Sequence, residues 1–339
     1  VLALCREDVS GDDNPFSNTN IIIDKIIEFE FLNNNQANII WEWRFFDRLI
    51  QDSDPLMPNF AIANENPQLF NINVFDELVD DLDLSHLNCI DYNEVLNQII
   101  FSSRTLNEIF IIDHSITTEE AAGHSAGAYG KGGDFLYRWG NSKNCDRGSV
   151  SDQKLFSPHG VNWIDPTYPG EGNIILFNNN HIFESSAVVE IIPPLNNLDN
   201  TYILNQNDPY EPIDYFWSYH NNFYSNTNSG VFRMDNGNTF VSSFEDTSIF
   251  EIDNLENIIW EYEGDLATKR ALKFRYSYFS SDLLGDINSD NIVNVLDAIL
   301  IVNIILGINE INNLGDLNQD GIINVLDLIQ IINIILMGD

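Results

Sequence analysis

The six residues Asn38-Ile39-Ile40-Trp41-Glu42-Trp43 return late in the chain as Asn257-Ile258-Ile259-Trp260-Glu261-Tyr262. A looser third copy is Phe135-Leu136-Tyr137-Arg138-Trp139. Short runs rich in β-branched and aromatic residues are typical of β-strands. An aromatic-rich strand that recurs at wide intervals favours the blades of a β-propeller, in which each small sheet packs on the next. A β-sandwich whose strands are similar by chance is the alternative.

The sequence up to residue 280 is rich in strand signals. Apolar runs alternate with clusters of Asn, Asp, Gly and Pro, which predicts a mainly β fold of many short strands. The candidate strands are 21–31, 38–45, 98–103, 108–113, 135–139, 173–177, 187–192, 230–234, 239–243 and 258–262. Residues 113–137, rich in Gly and Ala, are predicted to form a long loop. Such a loop either has a function or is a crossing without chemistry.

Charge and composition narrow the function classes. Of the 339 residues, 44% are hydrophobic, which is enough for one large domain and one small one. The net charge of −37 argues against nucleic-acid binding. Any anion site must therefore be a locally basic pocket. Six of the fifteen basic residues fall between 104 and 154, either around such a pocket or as scattered surface charge: Arg104, Lys131, Arg138, Lys143, Arg147 and Lys154. The three cysteines require no disulfide, and no apolar run is long enough to span a membrane.

The end of the chain contains two similar acidic loops, thirty residues apart. Gly285-Asp286-Ile287-Asn288-Ser289-Asp290 returns as Gly315-Asp316-Leu317-Asn318-Gln319-Asp320. Oxygen-bearing side chains occupy positions 1, 3, 5, 9 and 12 of each loop, with a main-chain carbonyl at position 7, which is the spacing that wraps Ca²⁺. We predict two Ca²⁺ ions, one held by Asp286, Asn288, Asp290, Ile292, Asn294 and Asp297, the other by Asp316, Asn318, Asp320, Ile322, Asn324 and Asp327.

This tail resembles the type I dockerin, which pairs two calcium-loop–helix repeats. We predict a propeller over residues 1–280 and a dockerin over 281–339, with helices at 295–306 and 325–336 that cover each other. Asn291 stands where the loop's tight turn usually has glycine, so the first site is predicted to bind more weakly. The resemblance implies a cohesin partner. Val295-Leu296 and Val325-Leu326 replace a common hydroxyl pair, so intramolecular docking or surface attachment stays open.

Several segments of the larger domain resemble the arylsulfotransferase (aryl-sulfate sulfotransferase) family. They are Ser85-His86-Leu87-Asn88, Ser102-Ser103-Arg104, Gly130-Lys131-Gly132-Gly133-Asp134, Arg138-Trp139-Gly140-Asn141 and Ser157-Pro158-His159-Gly160. The resemblance implies a six-bladed propeller that moves a sulfuryl group from an aryl sulfate to a phenol without a nucleotide cofactor. It places His159 as the nucleophile, His86 and Arg104 as holders of the sulfuryl oxygens, and Asn88 as a substrate contact.

These residue types suit the chemistry. A neutral imidazole is a competent nucleophile, and a covalent intermediate divides one difficult displacement into two easier ones. Arginine presents a fixed fork of donors to charged oxygens, and a second imidazole can carry a proton. We expect the remaining histidines, His114, His124, His181 and His220, to be structural or peripheral, and Lys131, Arg138 and Arg147 to be solvated surface charges.

The sequence differs from the arylsulfotransferase pattern at two points, and two other functions stay open. No histidine precedes His86, although the family has one on an early blade, and Leu84 stands where Trp is common. Since Val1 begins inside a predicted strand without Met or a signal peptide, we predict a fragment of a secreted, extracellular or cell-surface protein. A non-catalytic binding propeller anchored by its dockerin is the main alternative, and hydrolysis with water as acceptor is a weaker one.

Overall fold

The computed structural model describes residues 1–17, 19–32, 36–75, 78–79, 81–182, 184–265, 267–273, 283–288, 290 and 292–337. The chain forms two compact units, Val1–Ala271 and Leu272–Asp339. The larger unit is built from β-strands and the smaller one from two helices with their preceding loops. The predicted boundary at 280/281 lies outside the described residues.

The larger unit contains twenty described strands. They are β1 Leu2–Val9, β2 Ile21–Leu32, β3 Gln36–Arg44, β4 Leu49–Ile50, β5 Phe70–Asn71, β6 Leu82–Asp83, β7 Leu87–Asn93, β8 Gln98–Ser103, β9 Glu108–Asp113, β10 Tyr137–Trp139, β11 His159–Trp163, β12 Ile174–Ile182, β13 Ser185–Ile191, β14 Leu195–Asn196, β15 Thr201–Tyr202, β16 Trp217–Tyr219, β17 Gly230–Arg233, β18 Thr239–Ser243, β19 Ser248–Ile252 and β20 Ile258–Glu263. The α-helices are Thr118–Ala121, Val295–Ile305 and Val325–Met337. The 3-10 helices are Phe45–Arg48, Ala63–Glu65, Ile72–Val74, Ser142–Cys145, Val150–Asp152 and Asn313–Gly315.

Four of the described sheets have four strands each. The first has the order β1-β2-β3, with β6 joined in parallel to β2. The second runs β10-β9-β8-β7, the third β11-β12-β13-β16 and the fourth β17-β18-β19-β20, and every pair in these three sheets is antiparallel. A meander of four antiparallel strands is the form of a propeller blade.

Successive sheets pack face to face and share a hydrophobic core at each contact. Aromatic rings join the first two sheets, where Trp43 lies 5.3 Å from Phe101 and 6.2 Å from Phe135, centroid to centroid. A second core lies between the second and third sheets and a third core between the third and fourth. Each middle sheet is therefore covered on both faces, which explains why β8 and β9 are buried at every residue.

The predicted mainly β fold is confirmed, and the sheets are stacked as separate small blades rather than as the two sheets of a sandwich. All ten candidate strands are present, with ends that move by a few residues. β7 and β19 were not among them, because polar residues interrupt their apolar pattern. The resemblance implies six blades, and the described residues form four.

The third and fourth sheets approach each other closely at one glycine. Gly160 has a φ of +63°, and a Cβ added there would lie 2.8 Å from Cα of Gly230. Both the left-handed backbone and the lack of space require glycine at this position. Strands β11 and β17 are in contact around this point.

In the smaller unit, each helix begins directly after an acidic loop. Asn294 caps the helix Val295–Ile305, and Asp297 completes a capping box. Ile301 and Ile331 are fully buried, whereas Ile299, Ile332 and Leu336 stay exposed. The prediction that the two apolar runs cover each other is therefore only partly correct. No helix among the described residues has the length and apolar character that crossing a bilayer needs.

We expect Gly160→Ala to destabilise the protein by about 2–4 kcal/mol, because the new Cβ adds both left-handed strain and overpacking. Gly172→Ala is the matched control, since Gly172 has a φ of +78° but nothing within 4 Å of an added Cβ. It should cost only about 1 kcal/mol from backbone strain. Urea unfolding of the three proteins measures both values, and equal losses would show that the contact with Gly230 is loose.

Candidate functional site

His159 lies at the start of β11, where the third sheet contacts the second, and only 6% of its surface is exposed. The residue before it is held by the neighbouring sheet, because Nδ2 of Asn88 donates to the carbonyl of Pro158 at 2.8 Å. Oδ1 of Asn88 in turn accepts from Ser102 Oγ at 2.6 Å. Both amide atoms of Asn88 are thus engaged within the protein, and they position the turn that carries His159.

The hydrogen bonds of His159 define its neutral form. Nδ1 lies 3.0 Å from the carbonyl oxygen of Ser157 and 2.8 Å from Oδ1 of Asn179. Both partners only accept, so Nδ1 carries the proton and donates it. Nε2 then holds a lone pair, and no hydrogen bond to Nε2 is found among the described residues. Ser157 has a φ of +54°, a left-handed conformation that turns its carbonyl toward the ring.

Burial lowers the pKa of His159 from 6.5 to about 4, since desolvation disfavours the imidazolium. The hydrogen bonds to Asn179 and Ser157 act in the opposite direction and raise this pKa. The positive charge of Arg104, and that of His86 when it is protonated, lower it further. At neutral pH the His159 imidazole is therefore uncharged and nucleophilic.

His86 precedes β7 and is held in a left-handed conformation with a φ of +37°. Its Nδ1 lies 2.7 Å from Oδ2 of Asp83, and the same oxygen accepts from the Arg6 guanidinium at 2.6 Å. Because the Asp83 carboxylate accepts, Nδ1 of His86 donates and Nε2 is left to exchange protons. About a third of the His86 side chain is exposed.

Arg104 follows β8 and is fixed to His86 through the backbone, since the amide of Arg104 donates to the carbonyl of His86 at 3.1 Å. Its Nε is buried without a hydrogen-bond partner, and no ion pair to Arg104 is found within the described part of the chain. A half-buried guanidinium without a carboxylate retains its capacity to bind an anion. Arg104 is therefore the candidate cation for the locally basic anion site that the net charge of the chain calls for.

The structure joins the predicted residues His86 and Arg104 through a backbone hydrogen bond, and Asn88 bonds to Pro158, the residue before His159. A neutral imidazole nitrogen, a second imidazole and an unpaired guanidinium are the groups that transfer of an anionic oxyacid group needs. The substrate contact predicted for Asn88 stays a prediction.

The other histidines lie in other contacts. His114 contacts Glu28 and the ring of Trp41, His124 contacts Asp134, and His181 lies 5.7 Å from His220, centroid to centroid.

The prediction of solvated surface charge is wrong for Arg138. It is 2% exposed, and its Nε donates to the buried carboxylate of Glu108 at 2.9 Å. Arg147 donates to the main-chain carbonyls of Asn64, Asn205 and Asp208. Burial also lowers the pKa of Lys131. Arg138 and Arg147 are therefore structural.

The long Gly- and Ala-rich loop between β9 and β10 is held by one buried arginine. Arg48, 0% exposed, donates to the carbonyls of Ala121, Ala122 and Gly123 and pairs with Asp134 at 2.6 Å. The loop also contains the capped helix Thr118–Ala121. These contacts fit a crossing segment rather than a reactive one.

The two acidic loops of the tail share one hydrogen-bond pattern. The main-chain N–H of the aspartate at position 5 donates to Oδ1 of the aspartate at position 1, from Asp290 to Asp286 in one loop and from Asp320 to Asp316 in the other, both at 3.1 Å. Gly321 makes the tight turn of the second loop with a φ of +83°. Asn291, the corresponding residue of the first loop, lies outside the described residues.

The loops fit Ca²⁺ by the chemistry of their donors, which are all oxygens. Asp297 and Asp327 are fully buried, and no cation pairs with either of them among the described residues. Buried carboxylates without a counter-ion are costly, and a bound Ca²⁺ would offset that cost. Within the described ranges, no three His, Cys, Asp or Glu side chains converge as metal ligands. Asn and main-chain oxygens supply half of each predicted ligand set.

Residues 284–336 match the family of the dockerin type I domain, so the C-terminal unit contains such a domain. No curated protein matches the chain.

Three solved structures resemble the chain at low identity. A protein of unknown function from Bacteroides caccae has 11% identity and a TM-score of 0.33, over 76% of this chain and 58% of that one. Virginiamycin B lyase from Staphylococcus aureus has 10% identity and a TM-score of 0.32, over 78% of this chain and 61% of that one. BamB from Moraxella catarrhalis has 8% identity and a TM-score of 0.27, over 78% of this chain and 52% of that one. The chain spans about three fifths of the length of the first two, and none of the three bears on its chemistry.

Sequence reasoning missed Asn179, which contacts His159 directly. Asn179 lies in the run Asn178-Asn179-Asn180, which follows the apolar residues Ile174–Phe177 inside one strand. Asn178 and Asn179 are both fully buried. A buried amide needs several partners, so consecutive asparagines late in an apolar strand were the available signal.

Because burial lowers the pKa of His159 to about 4, this residue should make folding pH-dependent. Its contribution is complete above pH 6.5 and is lost as pH falls toward 4, since the unfolded chain binds the proton first. The loss is on the order of 3 kcal/mol. Urea unfolding across this range should show that the free energy of unfolding depends less on pH in His159→Gln than in the native protein. His220→Gln, an exposed control, should keep the native profile, and equal slopes in all three would contradict the assignment.

Proposed function

We propose that the protein is a secreted aryl-sulfate sulfotransferase that uses His159 as its nucleophile. The observation that carries the proposal is a buried, neutral imidazole with a free Nε2 beside an unpaired guanidinium. The resemblance of several sequence segments to arylsulfotransferases implies the same roles for these three residues. Nothing in the reaction requires a nucleotide, because the sulfuryl group passes from one phenolic oxygen to another through Nε2 of His159.

In the first step, the lone pair of Nε2 attacks the sulfur of the aryl sulfate. The N–S bond forms while the bond between sulfur and the aryl oxygen breaks, and the electron pair leaves with the phenolate. A protonated His86 supplies the proton that converts this phenolate to phenol. In the second step, an acceptor phenol gives its proton back to His86 and attacks sulfur, and the N–S bond breaks.

Arg104 supplies the electrostatic part of catalysis. Charge accumulates on the sulfuryl oxygens during transfer, and a guanidinium already in place stabilises it without reorganisation. The chain carries a net charge of −37, which would repel an anionic donor at long range. A cation without a carboxylate partner is therefore needed at the site itself.

We propose that the dockerin domain binds two Ca²⁺ ions and attaches the enzyme to a cohesin-like module outside the cell. The pairs Val295-Leu296 and Val325-Leu326 follow the loops in equivalent positions and are between 57% and 60% exposed. An apolar groove of about 350 Å³ lies between the two helices. Exposed apolar side chains of this extent are typical of a surface that binds another protein.

His159→Gln should reduce phenol release from a chromogenic aryl sulfate to background, because the nucleophile is removed. Arg104→Gln should lower kcat/KM by about 10²–10³, the usual effect of losing one preorganised donor. His220→Gln, at an exposed position, should stay close to the native rate. Initial rates with varied donor and phenol should also show a ping-pong pattern.

Phenol release that survives His159→Gln would contradict the nucleophile assignment. Retained binding of an aryl sulfate with no turnover in any variant would support the binding propeller instead. Phenol release without a sulfated acceptor product would favour hydrolysis.

Removal of Ca²⁺ by a chelator should unfold the C-terminal unit and leave the larger unit folded, since the loop carboxylates then lose their counter-ion. Circular dichroism at the helical band, with and without Ca²⁺, measures the change. Asp327→Asn should weaken the second site and Asp297→Asn the first, and calorimetric titration should count the remaining ion. An unchanged helical signal after chelation would contradict the calcium requirement.

A further inference from the structure

A buried polar network surrounds the side of His159 that faces away from the proposed reaction. Asn179, Ser186 and Ser225 are each 0% exposed and are joined by hydrogen bonds. Ser186 Oγ donates to the main-chain oxygen of Asn179 at 2.6 Å and accepts from the amide of Ser225 at 3.0 Å. Polar groups at this depth are costly unless all are paired, so the network has to be complete.

The network fixes the orientation of the Asn179 amide. Its Nδ2 donates to the carbonyl of Ser225 at 2.8 Å and to the carbonyl of Asn228 at 3.1 Å. Both donors of the amide are used, so only Oδ1 remains to face His159. A reversed amide would place a carbonyl oxygen against two other carbonyl oxygens and NH₂ against the Nδ1–H of the imidazole.

The loop that supplies these carbonyls is held in an unfavourable backbone conformation. Asn228 and Ser229 have φ values of +56° and +80°, two consecutive non-glycine residues in the left-handed region. Strain of this kind persists only where surrounding contacts enforce it, and it is concentrated at functional sites. Here it accompanies the two carbonyls that hold Asn179.

We propose that Asn179 is the positioning residue of His159: its neutral Oδ1 holds Nδ1–H, which fixes the tautomer with the lone pair on Nε2 and, unlike a carboxylate, adds no negative charge beside the ring. The consequence for catalysis rests on the proposed function, whereas the tautomer does not. A carboxylate in the same place would also hold Nδ1–H, but its negative charge would stabilise the imidazolium. The charged or titratable groups that act on His159 are Arg104 and His86, and both oppose its protonation.

The first test uses the native protein without substrate. In ¹⁵N-labelled protein, the His159 ring should show a protonated Nδ1 and an unprotonated Nε2 at pH 7, and it should titrate below pH 5. The signal is assigned by its absence from His159→Gln. An Nε2–H tautomer, or titration near pH 6.5, would overturn the proposal whether or not the protein transfers sulfuryl groups.

The second test compares two isosteric changes in one strand. Asn179→Asp should raise the pKa of His159, which lowers kcat/KM about tenfold at pH 5 with recovery by pH 8. Asn178→Asp is the matched control, because Asn178 is equally buried but bonds to Phe156, Lys154 and Tyr215 instead. In Asn178→Asp, the fall of kcat/KM at acidic pH should occur at the same pH as in the native protein.

Equal shifts in both variants, or none in Asn179→Asp, would overturn the role of Asn179. If Asn179→Asp does not fold, the titration of the native protein decides the question alone. A protein inactive at every pH, with His159 titrating as expected, would contradict the proposed transferase and leave the positioning role in place.

Discussion

A histidine that is almost completely buried must be either neutral or paired with an anion, and this constraint governs the candidate site. Among the described residues, no carboxylate pairs with His159. Its Nδ1 faces a carbonyl and an amide oxygen, and its charged neighbours are cations. Burial and the neighbouring positive charges favour the neutral ring, and the two acceptors fix the proton on Nδ1, so the lone pair lies on Nε2.

The stacked sheets make this arrangement possible. Strand β7 contacts β11, and β11 contacts β17, so the segments leading into these strands lie near one another. The first segment contributes His86, the second contributes Ser157 and His159, and the third contributes the carbonyls of Ser225 and Asn228. Apolar side chains fill the contacts between the sheets. Fully buried serine and asparagine side chains lie near the segments that lead into these strands. The same packing that stabilises the blades thus fixes the polar geometry.

Much of the architecture could be predicted because each blade repeats a local pattern. The aromatic-rich strands and the continuous apolar runs of β8 and β9 identify strands that are covered on both faces. β7 was missed because Asn88, Asp91 and Asn93 make it look like a loop, although two of them bond to the turn or strand beside His159. Arg138 was misjudged because a single sequence does not show that Glu108 lies beside it. The role of Asn179 needed coordinates, since its partners are main-chain oxygens that no side-chain motif can reveal.

The most direct test of the whole account is to look for the covalent intermediate. The native protein would be mixed with an aryl sulfate in the absence of a phenol acceptor, quenched under conditions that preserve an N–S bond, digested and analysed by mass spectrometry. The account predicts that the peptide containing His159 gains the mass of one SO₃ group and loses it when a phenol is added before quenching. A folded protein that releases phenol while this peptide stays unmodified, or that carries the group on another residue, would contradict it.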